Sequence, residues 1–277
     1  MNEAQKSRSF TIMTYNVLQF INQNPNYPYD DNAQLEYILT VSPDIVVLEE
    51  AEYLGSTPSN KITQDQLTAL HRMYPYTFVE SNEFAFLSKY PAEPIPLSFP
   101  KNDFSSGDIA GWRFHKNDIP INVIGVHLAS FSLKPDEKAH FREMTTPDKV
   151  EASYLRDMRY DYIPKVVRAC QQHEGQIKIL ERFLKKYGGE NTIVCGDFND
   201  PIGSYPLYYL EEYCNLKQVY PEVGFGPMIT YNANHFLFRI DHILYRGNLK
   251  PYSLSRGNLK ASDHYPLIAT FLIQQGK

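Results

Sequence analysis

Cysteine is scarce. Cys170, Cys195 and Cys214 are odd in number and stand neither in pairs nor at metal-ligand spacing, which argues against a disulfide framework or a sulfur-ligated metal site. Buried, inert thiols in a reducing compartment are expected. An excess of positive charge is lacking too. Lys and Arg total 27 against 32 Asp and Glu, a formal net charge of −5, so no bulk positive field marks out a phosphate backbone as partner, and a small phosphorylated substrate stays open. No apolar run is long enough for a membrane span or a signal-peptide core, and the opening residues Met1 to Ser9 are mostly polar. The chain as written is expected to be cytoplasmic and monomeric, unless a removed leader once directed it elsewhere. Internal repeats and low-complexity tracts are absent.

What is present is an ordinary globular composition, 43% hydrophobic and 21% charged, over 277 residues, which sits at the upper end of what one core supports. No internal boundary stands out. The expected organisation is an N-terminal tail over 1–9 and a single domain over 10–277 with a helical insert at about 131–187. Phe10 to Val17 alternates with period two and is apolar on both faces, as a strand covered on both sides should be. Asp30-Asp31-Asn32 offers N-cap chemistry for a helix from Ala33 to Val41, and Ile45 to Leu48 is a second strand. A helix over Gln64 to Met73 stops at Pro75, and strands follow at Tyr76 to Val79 and Glu83 to Ser88. Pro91 to Pro100 holds four prolines and reads as loop.

Further on, Ile121 to Leu128 is a buried strand. Pro147 to Tyr187 is helical with a break at Pro164, and Gly188-Gly189 terminates it. Strands at Asn191 to Cys195, Phe236 to Tyr245 and Leu267 to Ile273, with a short helix at Ser204 to Tyr213, complete the pattern. Strands recur in both halves with helices between them, so the chain reads as an α/β (α+β) protein with two packed sheets and helices outside.

Several strands end in polar residues that a core would reject. Asn16 ends the first, Glu50 follows the second, His127 lies near the end of a third, and Asp197 and Asn199 follow Cys195. Each alone has a bland reading as a turn former, a solvated carboxylate or a hydrogen-bonded core histidine. Together they imply one shared polar floor at a sheet edge. In Gly196-Asp197-Phe198-Asn199 the glycine lets the chain turn, and Asp197 and Asn199 fall on one face about a phenylalanine anchor. A carboxylate beside an amide suits orienting a water and donating to a phosphoryl oxygen. Asp241, inside a strand, needs a partner, and His264 in Ser262-Asp263-His264 can supply it: the carboxylate would fix the tautomer and raise the basicity of the ring. His242 alternates to the other face and reads as structural. The 21 tyrosines read as core and interface residues more readily than as a base-stacking surface. Arg182, Lys185 and Lys186 sit where cations complement a helix C-terminus.

These motifs, Thr14-Tyr15-Asn16-Val17, Pro43 to Glu50, Ser88 to Pro91, Val126-His127-Leu128, Gly196 to Asn199, Arg239 to Leu244 and Ser262-Asp263-His264, stand in the order seen in the endonuclease/exonuclease/phosphatase superfamily, and the likeness runs from Thr11 to Phe271. The sequence resembles bacterial, Bacteroidetes-type members in its insert after His127-Leu128 and its stretch Gly224 to Asn232. It departs from them at Glu49, where glutamine is usual, and at His173, where many relatives carry arginine. Glu49 reads either as a partly exposed neighbour that binds nothing or as an added carboxylate that alters metal affinity.

The resemblance implies a four-layer DNase I-like sandwich of two packed mixed β-sheets flanked by helices. It implies a divalent ion, Mg²⁺ or in its place Mn²⁺, held by Glu50 with Asn16 and Asp263. It further implies Asp197 orienting the attacking water, Asn199 stabilising phosphoryl charge, and His127 with the Asp241-held His264 sharing the acid, base and phosphate-donor roles. The activity expected is hydrolysis of a phosphodiester or phosphomonoester on a small molecule, lipid headgroup or sugar phosphate. A DNase I-like nuclease acting on nucleic acid is the alternative. A non-catalytic binding module is disfavoured because every core position is filled. Substrate choice is expected to lie in the loops Gln19 to Asp30, Pro91 to Trp112 and the insert.

Overall fold

Among the described residues twelve strands, several of them rich in β-branched and aromatic residues, form two sheets, each covered on one face by helices and on the other by its partner sheet. The computed structural model describes residues 1–23, 31–55, 61–80, 84–96, 109–130, 163–187, 189–233 and 236–274. In chain order the elements are α1 (Glu3–Lys6), β1 (Ser9–Asn16), α2 (Ala33–Val41), β2 (Ile45–Glu49), α3 (Gln64–Met73), β3 (Tyr76–Glu80), β4 (Phe84–Ser88), β5 (Ala92–Pro94), β6 (Ile109–Lys116) and β7 (Ile119–His127). They continue with α4 (Ile163–Tyr187), β8 (Thr192–Asp197), α5 (Tyr205–Cys214), β9 (Lys217–Gln218), α6 (Tyr220–Val223), β10 (Tyr231–Ala233), β11 (Phe236–Phe238), β12 (Asp241–Arg246), β13 (Leu249–Arg256) and β14 (Leu267–Ile273).

One six-stranded sheet runs β13-β14-β1-β2-β4-β3 and the other β5-β6-β7-β8-β12-β9, while β10 and β11 form a separate hairpin. Both sheets are mixed: β1 pairs parallel with β2 and β7 parallel with β8, and their other pairings are antiparallel. Between the sheets lies a core of Phe10, Val47, Phe86, Trp112, Ile193, Ile243 and Phe271, with the Trp112 ring stacked on Phe86 at 4.9 Å. Outside the first sheet, Met13, Tyr15, Val46 and Leu48 pack on Leu35 and Ile38 of α2 and Leu67 and Leu70 of α3. Outside the second, Ile124, Val126, Val194 and Leu244 pack on Ile177, Leu180 and Phe183 of α4 and Leu207 and Leu210 of α5. This is the expected four-layer sandwich, with helix, sheet, sheet and helix in turn.

The structure corrects several details. The expected strand over Phe236 to Tyr245 is two strands in different sheets, because the amides of Ile240 and Asp241 both turn to Thr230 Oγ1 at 3.1 Å and break the run. The proline-rich loop contains β5, an edge strand, where a missing donor is tolerated. The tail at 1–9 contains α1, closed by an Asn2/Gln5 capping box. Pro164 occupies the second residue of α4, where the absent N–H costs little, and the helical stretch expected before it lies outside the described residues. The insert's 131–162 lies outside the described residues. Cys170 is exposed, not buried like Cys195 and Cys214. No described helix is long and apolar enough to cross a membrane.

Candidate active site

The C-terminal ends of the two parallel pairs, β1–β2 and β7–β8, meet at one edge of the sandwich, so the polar residues that close these strands converge. Asn16 ends β1 and is buried; its Nδ2 donates to Glu50 Oε1 at 3.0 Å and to Asp197 Oδ2 at 3.3 Å. Glu50 leaves β2 in the left-handed region (φ 52°), which swings its carboxylate out of the sheet plane. His127, at the end of β7, holds Nε2 3.9 Å from both Glu50 Oε1 and Asp197 Oδ2.

Asp197 is set in place by Gly196. Its φ of 143° brings the chain so close to β7 that a Cβ there would stand 1.9 Å from the Val126 carbonyl oxygen. Asn199 follows in a left-handed turn; its amide donates to Asp197 Oδ1 at 2.8 Å, and its Nδ2 donates to Leu128 O at 2.9 Å. Across the ladder, Asp241 of β12 stands opposite Asp197. The Nδ1–H of His264 donates to Asp241 (2.9 Å to Oδ2), which leaves Nε2 facing Asp197 Oδ2 at 3.5 Å. Asp263 is offset from this row. Its Oδ1 lies 3.4 Å from Ser262 Oγ, and among the described residues no hydrogen bond or ion pair joins its carboxylate to Asn16 or Glu50.

The electrostatics follow from burial among carboxylates. Burial raises the Asp197 carboxyl well above the usual range, against the charge of His264, and Asp241 adds to the rise. Burial disfavours a charged His264, yet Asp241, Asp197 and Asp263 together hold its ring well above its ordinary pKa. His242 is turned away from this group. Its Nε2 lies 3.0 Å from Asp200 O, its ring packs edge-on to Phe198, and burial lowers its pKa to about 4. It is structural, as its alternation indicates.

Glu49 is not a partly exposed neighbour. It is wholly buried beneath the site, accepts from Thr14 Oγ1 at 2.8 Å, and is pushed up to about 8 by burial, with Asp241 and Asp197 adding to the rise. The sequence held the signal, since Glu49 is two residues beyond Val47 and must share its inward face.

Other supporting residues escaped the sequence reading. Ser262 Oγ donates to Asn16 O at 2.9 Å and accepts from the His264 amide at 3.2 Å, joining the two ends of the chain at the site. After Asn16, Leu18, Gln19 and Phe20 all take positive φ (45°, 54° and 56°). This left-handed turn is clamped from α2: Asn32 Nδ2 donates to Phe20 O at 2.8 Å, and Gln34 Nε2 donates to Ile21 O and Ala261 O at 3.0 Å each.

The donors fit a hard divalent cation. Carboxylate and amide oxygens of Asn16, Glu50 and Asp197 are donor types that suit such an ion; ligand atoms of Asp197, Asp241 and His264 also lie within 4.8 Å of one another, but there the His264 ring is engaged by Asp241. The profile of the Endonuclease/Exonuclease/phosphatase family matches residues 13–264, a span that takes in every one of these side chains. The chain belongs to that family.

Solved structures share its fold at low identity. The Bacteroides vulgatus family member is 15% identical with a TM-score of 0.59, over 96% of this chain and 99% of that one. ANGEL2, described as a 2′,3′-cyclic phosphatase in complex with adenosine-2′,3′-vanadate, is 15% identical with a TM-score of 0.58, over 96% of each chain. D. rerio TDP2, complexed with a single-strand DNA product, is 14% identical with a TM-score of 0.57, over 95% of this chain and 98% of that one. No curated protein matches this sequence significantly.

Proposed function

We propose that this family member is a divalent-metal-dependent phosphoesterase that cleaves a phosphodiester or phosphomonoester by direct attack of water. The observation that carries the reading is the buried row Asp241–His264–Asp197, flanked by His127 and Asn199, at the open edge of the sandwich. A purely structural role would not favour two buried carboxylates set against a single histidine ring at an open edge.

Asn16, Glu50 and Asp263 would hold the ion, Mg²⁺ or Mn²⁺, with Asp197 at hand. When bound, it supplies Lewis-acid charge neutralisation at the phosphoryl group. Asp197 accepts a hydrogen bond from the attacking water and takes its proton as the new P–O bond forms. Asn199 Nδ2 and the protonated His264 Nε2 donate to the phosphoryl oxygens as charge builds there. The bond to the leaving oxygen breaks as a proton reaches it from the histidine pair His127 and His264. Asp241 keeps Nδ1–H of His264 occupied, so that only Nε2 faces the substrate.

The test is hydrolysis of bis-p-nitrophenyl phosphate by the purified chain with Mg²⁺ or Mn²⁺. Activity abolished by EDTA and cut about 10²-fold or more in Asp197→Asn is expected; no metal-dependent activity in the parent protein would sink the reading. Parallel assays on plasmid DNA, RNA, phospholipids and sugar phosphates identify the leaving group.

A further inference from the structure

Helix α4 lies outside the second sheet, yet it reaches the two catalytic loops through a single ring. His173 is fully buried, with Nδ1 2.6 Å from Asp200 Oδ2 and Nε2 2.6 Å from Ala129 O. Asp200 directly follows Asn199, and Ala129 is two residues beyond His127. A carboxylate and a carbonyl are acceptors only, whereas a neutral imidazole carries one N–H; a neutral ring would set lone pair against lone pair at one of these contacts. Beside an ionised Asp200, only the imidazolium satisfies both.

One turn along the helix, Gln176 Oε1 accepts from the Ala129 amide at 3.1 Å, so α4 holds both backbone polar groups of that residue. The loops are also joined directly, by Leu128 N to Asp197 O at 2.9 Å and Asn199 Nδ2 to Leu128 O at 2.9 Å, and His173 closes this junction from behind.

We propose that His173 is a positioning residue that, as an imidazolium, pins the loop behind His127 to the loop behind Asn199 and so fixes the spacing of the catalytic groups. Its surroundings agree: burial opposes the charge, but the Asp200 hydrogen bond, the Ala129 carbonyl and the charges of Asp200 and Asp197 hold the ring above its ordinary pKa. His173 touches neither substrate nor reacting atoms, and its catalytic consequence rests on the phosphoesterase reading. An arginine here would keep a permanent charge and several donors, whereas glutamine would keep only one donating group.

The experiment has two readouts that need no turnover. Nitrogen NMR of the ¹⁵N-histidine-labelled full chain, with the signal assigned by its loss in His173→Gln, should show both His173 ring nitrogens protonated at neutral pH. Hydrogen exchange should then rise about tenfold in segments 127–130 and 197–203 of His173→Gln, leave the centres of β7 and β8 unchanged, and return toward the parent value in His173→Arg. On bis-p-nitrophenyl phosphate, kcat of His173→Gln should fall about tenfold to a hundredfold with little change in KM, again recovering with arginine. A neutral ring at neutral pH, or unchanged exchange in both segments of His173→Gln, overturns the proposal. Should the glutamine variant fail to fold, ring protonation in the parent chain, assigned through His173→Arg, decides it. A parent chain without hydrolytic activity refutes the function proposed above, while the NMR and exchange results still decide the role of His173.

Discussion

Asp197 and Asp241 face each other directly across the β8–β12 ladder, and His264 spans the gap between them, 2.9 Å from one carboxylate and 3.5 Å from the other. Two opposed buried carboxylates are tolerated because a cationic ring stands between them. Asp241→Asn removes the carboxylate that both charges and orients the ring and frees His264 to adopt the wrong tautomer. The ring pKa should fall, as read by NMR titration, and kcat should drop about 10²-fold or more. An unchanged His264 titration would contradict the arrangement.

Glu49 holds a carboxyl group in the core with its pKa raised to about 8. The folded state therefore binds a proton that the unfolded chain releases above its ordinary carboxylate pKa, and stability falls as pH rises from about 4.5 toward about 8. Glu49→Gln keeps the acceptor for Thr14 and removes this penalty. It should stabilise the protein by on the order of 3 kcal/mol at neutral pH, with no gain below pH ~4. Urea denaturation at both pH values checks the difference.

His242 has the opposite sense. Its folded pKa is depressed to about 4, so above the unfolded value both states are neutral, and below it the unfolded chain takes up a proton that the folded chain refuses. Stability from this group is present above pH ~6.5 and lost as pH falls toward about 4, by on the order of 3 kcal/mol. His242→Gln should flatten that acid limb in a series of unfolding curves, even if it lowers stability at neutral pH.

Trp112, fully buried and stacked on Phe86, fills the centre of the space between the sheets. Trp112→Ala should cost about 3–5 kcal/mol through lost burial and a residual cavity. Chemical denaturation measures it; a loss under about 1 kcal/mol would mean that the sheets close around the gap.

The polar strand ends were legible because each broke a strong pattern: Asn16, His127 and Asp197 stand where apolar alternation stops. Asp241 and His264 were legible as a pair, since a carboxylate inside a strand demands a partner. Where a strand's own chemistry is ambiguous, the sequence was silent. β13 carries Pro251 and a run of polar residues, and only its edge position and the bulge between Pro251 and Ser253 explain how it pairs. β6 mixes Gly111, Arg113, His115 and Lys116 with Trp112, so its central place in the core is set by the partner sheet and not by its own periodicity. Glu49 went unrecognised as a core residue because a carboxylate at a strand end reads first as solvated. The links from His173 and Gln34 could not be read at all, since they join residues 27 to 227 positions apart.

The clamped turn at Leu18–Gln19–Phe20 bears on the order in which the molecule comes together. Three successive side-chain-bearing residues in a left-handed conformation cost on the order of 1–3 kcal/mol each, and the docked Asn32 and Gln34, at the start of α2, help to hold them there beside the bonds from Leu18 N to Asn16 Oδ1 and from Gln19 N to Glu50 O. The turn beside the candidate site would therefore settle only once α2 has docked, after the β1–β2 ladder beneath it has paired.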